Sequence, residues 1–134
     1  AAGSGVLGIR LLQRQPGLDI TMIEADAVAL EAARFNLPSA NHILGHALTA
    51  LPSDARFAAI VANPPYHSGK ARSSAVVGRL IEDAPRYLNK GGALWMVLQN
   101  QVNVAALLDT HFDTVELAAS DKRYKVWRAV TSKC

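Results

Sequence analysis

Asn63-Pro64-Pro65-Tyr66 follows the apolar run Phe57 to Ala62 and has the residue types needed to hold a planar amino group. Two prolines fix the backbone where a strand ends. The Asn63 amide oxygen and the Pro64 carbonyl oxygen can then both accept from one NH2 group. Two acceptors on one amine aim its lone pair, which suits in-line attack on an activated carbon such as a sulfonium methyl. Tyr66 offers a ring face to the planar group that carries the amine, a contact worth roughly 1 to 3 kcal/mol when that group is a base. Positioning matters more than a strong base here, because a near-neutral amine attacking a sulfonium disperses charge that is already present. The bland alternative is a proline-rich turn after a strand. Strand, asparagine and aromatic in this order favour the chemical reading.

A second constellation lies near the start of the chain. Gly3-Ser4-Gly5 opens the first amphipathic segment, where small residues let the backbone approach a ligand and helix amides point toward it. Glu24 closes the next apolar stretch, 19 positions after Gly5. That is near the roughly 20-residue interval at which an acid accepts from ribose hydroxyls. Loop and acid together suit any nucleoside cofactor, and only the Asn63 motif separates methyl transfer from nicotinamide chemistry.

Other polar residues carry weaker signals. Lys70 and Arg72 follow the motif, and Lys122, Arg123, Lys125, Arg128 and Lys133 close the chain with no acid among them. Such residues can contact phosphates, although charge alone fits a solvated face. Asn100, Gln101 and Asn103 follow the apolar stretch Ala93 to Leu98, where substrate would enter. His67 adjoins the motif and either touches substrate or makes a structural hydrogen bond. His42 and His46 are four apart but flank a predicted strand with no acid or cysteine to complete a site, so no metal is expected. Trp95 is assigned to the core and Trp127 to core or surface.

These residues need elements to position them, and the pattern alternates helix with strand. Residues 5 to 15 read as a helix stopped by Pro16-Gly17, and Ile20 to Ile23 as a strand ending in Glu24. Asp26 is a plausible cap for a helix ending before Pro38, and a strand covers about 42 to 45. Phe57 to Ala62 is continuously apolar, as in a strand buried on both faces of a parallel sheet. Ser73 or Ser74 is expected to cap a helix running through Leu88, with Pro85 as a possible kink. Gly91-Gly92 then turns the chain into the strand Ala93 to Leu98. Residues 102 to 110 read as a helix, and Thr114 to Ala118 and Tyr124 to Val130 as an antiparallel pair. Alternating units of this kind imply a doubly wound, Rossmann-like, mostly parallel sheet with an antiparallel last strand. Ligands of such a sheet sit beyond the carboxyl ends of its strands.

Composition agrees with one domain. A chain of 134 residues buries roughly two-thirds of its unfolded surface. No segment approaches the roughly 20 apolar residues of a membrane span, so no membrane partner is expected. No secretory signal is evident, and the one cysteine is Cys134, which points to a reducing, cytoplasmic setting. The net charge of +3 is too small to name a partner.

Ala62-Asn63-Pro64-Pro65-Tyr66-His67-Ser68-Gly69 resembles the signature of the small-domain class I S-adenosylmethionine-dependent methyltransferases that modify the guanine N2 amine of small-subunit ribosomal RNA. Arg123-Tyr124-Lys125-Val126-Trp127-Arg128-Ala129 is similar to that family's last strand, and Gly3-Ser4-Gly5-Val6-Leu7-Gly8 to its cofactor loop. The resemblance covers nearly the whole chain. It implies S-adenosylmethionine as cofactor, bound by Gly3, Ser4, Gly5, Glu24, Ala25, His46, Ala47 and Asn63. It makes Asn63, Pro64, Pro65 and Tyr66 the catalytic set, with Tyr66, His67, Lys70, Arg72, Asn100 and Lys125 toward substrate. The implied partner is ribosomal RNA or the small ribosomal subunit.

The chain departs from the family pattern in two places. The family's loop follows a strand ending in an acid, whereas this chain begins at Ala1-Ala2. It therefore reads as a catalytic fragment, residues 1–134, without the first strand of the usual sheet or the preceding domain that members commonly carry. Unless the missing residues are present in the whole protein, loss of that strand is expected to leave Ala1 to Gly5 unsupported, with the strands ending at Glu24 and Asn63 pairing with each other or with a strand of another chain. A preceding domain or a homo-oligomer is accordingly among the expected partners. The second departure is His46, which stands where many class I enzymes place an acid near the adenine amine; a neutral imidazole can accept that bond. Alternatives are methylation of adenine N6 or of a protein glutamine, and a noncatalytic RNA-binding or scaffold domain.

Overall fold

The computed structural model describes residues 2–64 and 70–132, with side chains described throughout except at residues 70–73. The chain divides into two compact units, Ala1–Pro52 and Ser53–Cys134. The first holds α1 (Val6–Arg14), β1 (Thr21–Glu24), α2 (Ala27–Asn36), β2 (Asn41–Leu44) and a 3-10 turn at Leu48–Ala50. The second holds β3 (Phe57–Ala62), α3 (Lys70–Tyr87), β4 (Leu88–Gln99), α4 (Ala105–His111), β5 (Thr114–Ser120) and β6 (Tyr124–Val130).

In the first unit β1 and β2 pair in parallel, from Thr21 opposite Asn41 to Glu24 opposite Leu44. As expected, Asp26 caps α2, its carboxylate accepting from the amides of Val28 at 2.8 Å and Ala29 at 3.2 Å. These bonds satisfy amides that a helix start leaves without partners. Met22, Ala33 and Leu37 form the local core, with Ile9, Leu12 and Ile20 packed against it. A Cβ at Gly8 would run into Met22 and Leu37, so a glycine is what lets α1 lie close to β1.

The second unit is a sheet in the order β3-β4-β6-β5. β3 and β4 are parallel, and β6 runs antiparallel to both β4 and β5. The last strand is thus the one reversed strand of this sheet, as its pattern predicted. Leu94, Met96 and Leu98 are buried on one face of β4 while Trp95 and Val97 on the other are only partly covered. α3 packs on β4 and on α4, and Val77, Ile81, Ala84 and Leu108 are buried with that first face.

Several local expectations are corrected. α3 already includes Lys70, ahead of Ser73 and Ser74, so neither serine caps its start. Lys70 and Arg72 therefore stand in its first turn. Leu88 belongs to β4 rather than to the helix. Pro85 lacks the amide that would continue the last turn. Gly91 lies inside β4 with φ 78, where the pairing jumps from Phe57 opposite Leu88 to Ala59 opposite Ala93. The glycine pair is thus an irregularity within a strand, where only a residue without Cβ adopts that φ at little cost. α4 begins at Ala105 rather than 102; Val102 and Val104 are instead buried in the connection before it.

β3 is not buried on both faces. Among the described residues it is hydrogen-bonded to β4 alone, and Ala58, Ala59 and Val61 are exposed. A strand with a neighbour on one side only has less of its surface covered than a central one. Trp95 is not core either. Its ring lies under the Arg128 guanidinium, 5.5 Å from the centroid, and Arg128 also pairs with Glu116 at 3.1 Å. No described helix is long and apolar enough to cross a membrane.

Candidate functional site

The first unit gathers its candidate residues at the carboxyl ends of β1 and β2. Gly3 and Gly5 have φ of 59 and 92, a region open chiefly to glycine. A Cβ at Gly3 would meet nothing within 4 Å, so conformation rather than crowding demands glycine there and the loop face is open. The expected loss of support is not seen. The Ala2 amide donates to the Ile23 carbonyl at 3.1 Å, the Gly3 amide to Glu24 Oε2 at 2.7 Å, and Asn36 Nδ2 to the Ser4 carbonyl at 2.9 Å. Backbone bonds to β1 and a side-chain bond from α2 hold the loop. β1 and β3, which the sequence offered as partners for each other, fall in separate sheets.

Glu24 is the organiser. Besides Gly3, its carboxylate accepts from the amides of Ala25 at 3.1 Å and Asp26 at 3.2 Å, and its carbonyl accepts from Gly45 at 3.0 Å. The last bond ties the end of β1 to the segment carrying His46 and Ala47. His46, Ser4 and Ala25 are exposed and Ala47 is half-buried. Partial burial pushes the Glu24 carboxyl up, but hydrogen bonds from Gly3 and Asp26 together with the positive chain terminus pull it down, and the net direction is down.

A lowered folded-state value means the unfolded chain binds the proton more readily. The contribution of Glu24 is therefore complete above its ordinary value of 4.5 and is lost as pH falls through the lower folded value. Thermal melts between about pH 3 and 6 should show stability falling on the acid side of that range, with a shallower fall in Glu24→Gln. Parallel curves for the two proteins would show that the loop does not depend on this carboxylate.

In the second unit Asn63 and Pro64 leave the carboxyl end of β3, Asn63 exposed and Pro64 buried. Ala62 lies opposite Met96, so β4 runs on beyond β3 to Gln99. β6 starts at this same edge, Tyr124 opposite Gln99 and Lys125 opposite Leu98. The sheet thus brings Asn63, Asn100 and Lys125 to one edge. Pro65, Tyr66 and His67 lie outside the described residues, and the side chains of Lys70 and Arg72 are likewise not described.

Asn100 does more than its sequence position suggested. Its amide donates to the Arg123 carbonyl at 2.9 Å and its Nδ2 to the Asp121 carbonyl at 3.0 Å, so it clamps the β5–β6 turn to the end of β4. Asp121 completes the turn by accepting from the amides of Arg123 and Tyr124, each at 2.7 Å. Sequence reading passed over Asp121; the available signal was an aspartate opening a short polar turn, where it can bond its own backbone two residues on. Asn103 accepts from the Ala105 amide at 3.4 Å, which makes it part of the start of α4. Gln101 donates to the Gln99 side chain. His42 Nε2 lies 2.9 Å from the Leu37 carbonyl, a structural bond. Among the described residues no group of three or more His, Cys, Asp or Glu could hold a metal ion.

A glycine loop fastened to a strand-terminal acid, and an Asn-Pro element at the carboxyl edge of a parallel pair, define an α/β domain of the Rossmann-like class. The chain belongs to the methyltransferase small domain family, which it matches over residues 1–128. It is 35% identical over 128 residues to the ribosomal RNA small subunit methyltransferase C of Aeromonas hydrophila, covering 93% of this chain and 37% of that protein. Its identity to the Escherichia coli protein of the same name is 34% over 134 residues, covering 98% and 39%. Among solved structures it is similar to a T. thermophilus 16S rRNA N2 methyltransferase in complex with AdoMet and guanosine, with a TM-score of 0.84 at 26% identity, covering 97% of this chain and 35% of that one. A Pyrococcus furiosus methyltransferase shares the fold, with a TM-score of 0.78 at 16% identity, covering 99% and 73%. The chain spans about two-fifths of the length of the curated relatives it matches.

Proposed function

We propose that this chain is the catalytic domain, residues 1–134, of a cytoplasmic S-adenosylmethionine-dependent N-methyltransferase whose target is the N2 amine of a guanine in small-subunit ribosomal RNA. The observation that carries the reading is Asn63-Pro64 at the carboxyl edge of β3, with Pro65-Tyr66 next in the chain. The names of the relatives, and the guanosine held by the T. thermophilus enzyme, support the choice of nucleobase and RNA.

The residues of the first unit fit a nucleoside cofactor. The two positive-φ glycines leave an open loop face, and Glu24 fastens that loop with its carboxylate kept in the charged form. Gly3, Ser4 and Gly5 would line the methionine part, Glu24 and Ala25 the ribose, and His46 and Ala47 the base. When bound, S-adenosylmethionine supplies an activated methyl group. The chain's own residues do the rest. Asn63 Oδ1 and the Pro64 carbonyl accept from the target amine and aim its lone pair, and Tyr66 stacks on the base that carries it. The amine nitrogen held there would take the methyl group that the bound cofactor supplies, and its proton would pass to water.

The direct test is transfer of labelled methyl to unmodified small-subunit ribosomal RNA, with adenine-containing transcripts and a glutamine peptide as competing acceptors. Nuclease digestion and mass spectrometry should then yield N2-methylguanosine. Label on adenine N6 or on glutamine would overturn the substrate, and RNA binding without transfer to any acceptor would leave a noncatalytic scaffold.

A further inference from the structure

The β5–β6 turn has a geometry that methyl transfer does not itself require. Gln99, Asn100, Gln101, Lys122, Arg123 and Tyr124 line an open depression of about 340 Å3, at the lower end of the roughly 300 to 1,000 Å3 of small-ligand sites. That volume suits one nucleotide rather than a helix. Its chemistry suits a nucleotide as well, combining two cations, three amide side chains and a tyrosine that is 42% exposed. Among the described residues neither Lys122 nor Arg123 is in an ion pair. The neighbouring Asp121 carboxylate is turned onto the amides of Arg123 and Tyr124, and those bonds, with the Arg123 charge nearby, hold it below the ordinary carboxylate range. Asn100 supplies the rigidity, with one backbone and one side-chain bond to the turn.

We infer that this turn is a second nucleotide subsite, which takes the phosphate of an RNA residue beside the target on Lys122 and Arg123 and its base on the Tyr124 ring. The inference rests on the RNA reading proposed above. Strand pairing places the subsite within reach of the amine position. Asn63 follows Ala62, which lies opposite Met96, and Tyr124 lies opposite Gln99 across β4. The separation is roughly 7 Å along the strands and roughly 10 Å across them, a span that one or two nucleotides of an extended single strand can bridge. Gln99 and Gln101 offer donors and acceptors to the edge of the stacked base. Asn100 acts as a positioning residue, because it touches the turn rather than the reacting atoms.

The experiment is anisotropy of a labelled guanine-containing single-stranded oligoribonucleotide, titrated with the 134-residue chain at several salt concentrations and accompanied by thermal melts. Lys122→Ala with Arg123→Ala should lower the magnitude of the slope of log affinity against log salt by about 0.7, the value for one phosphate contact on a single strand. Tyr124→Ala should weaken binding about fivefold or more at unchanged slope, while Tyr124→Phe keeps the ring and restores it. All three positions are exposed, so the melts should stay near the parent's. Unchanged slope and affinity in these variants overturn the subsite alone. Failure of the unsubstituted chain to bind RNA overturns the subsite together with the RNA reading.

Discussion

Asn63→Ala will slow methyl transfer by about two to three orders of magnitude, the usual loss when one preorganised polar group facing the reacting centre is removed, with affinity for S-adenosylmethionine nearly unchanged. Asn63 stands at the carboxyl end of β3 and is exposed there, so its truncation leaves no cavity and removes no core contact. In the proposed site it removes one of two acceptors that aim the amine. That interaction strengthens as the nitrogen gives up its lone pair, so the loss falls on kcat more than on KM. Asn63→Asp keeps an oxygen acceptor at the same place and should lose less. Single-turnover rates together with calorimetric cofactor titration separate the two effects. Near-normal turnover of the alanine variant would sink the catalytic assignment.

Leu94→Ala should destabilise the protein by about 2 to 5 kcal/mol, a large share of the roughly 5 to 15 kcal/mol that holds a domain of this size folded. Leu94 is 1% exposed, in the middle of β4 between Ile60 of β3 and Ala129 of β6. A void there would lie between the sheet and the helices whose Val77, Ile81 and Leu108 are buried on this face, and strands fixed by their hydrogen bonds cannot readily collapse into it. Leu117→Ala on β5 is the comparison, because that side chain is 46% exposed and its loss should cost well under half as much. Urea unfolding of the two variants measures the difference. A Leu94→Ala loss below about 1 kcal/mol would mean that α3 does not cover this face of the sheet.

Sequence alone determined those features that depend on neighbours in the chain. Asp26 capping α2, the stop of α1 before Pro16-Gly17 and the strand ending at Glu24 are local, because each depends on backbone groups a few residues away. The proposed chemistry of Asn63-Pro64-Pro65-Tyr66 is likewise read from contiguous residues. The reversal of β6 was also readable, as a short polar turn between two apolar runs leaves little other choice.

Tertiary structure alone decided what depends on residues distant in the chain. Apolar composition made Phe57 to Ala62 look buried on both faces, but exposure is set by what packs on each side, and among the described residues β3 pairs with β4 alone. Gly91-Gly92 read as a turn because glycine favours turns, whereas pairing with β3 draws it into β4 as an irregularity. Spacing placed Glu24 near a cofactor; only the fold showed its carboxylate fastened to Gly3, 21 residues away in sequence. Asn100 read as a loose polar residue at a strand end, and the clamp it makes on Asp121, also 21 residues away, exists only once β6 has returned beside β4. Hydrogen bonds between distant segments leave no periodicity and no motif in the chain, because their partners are brought together by the packing of everything between them.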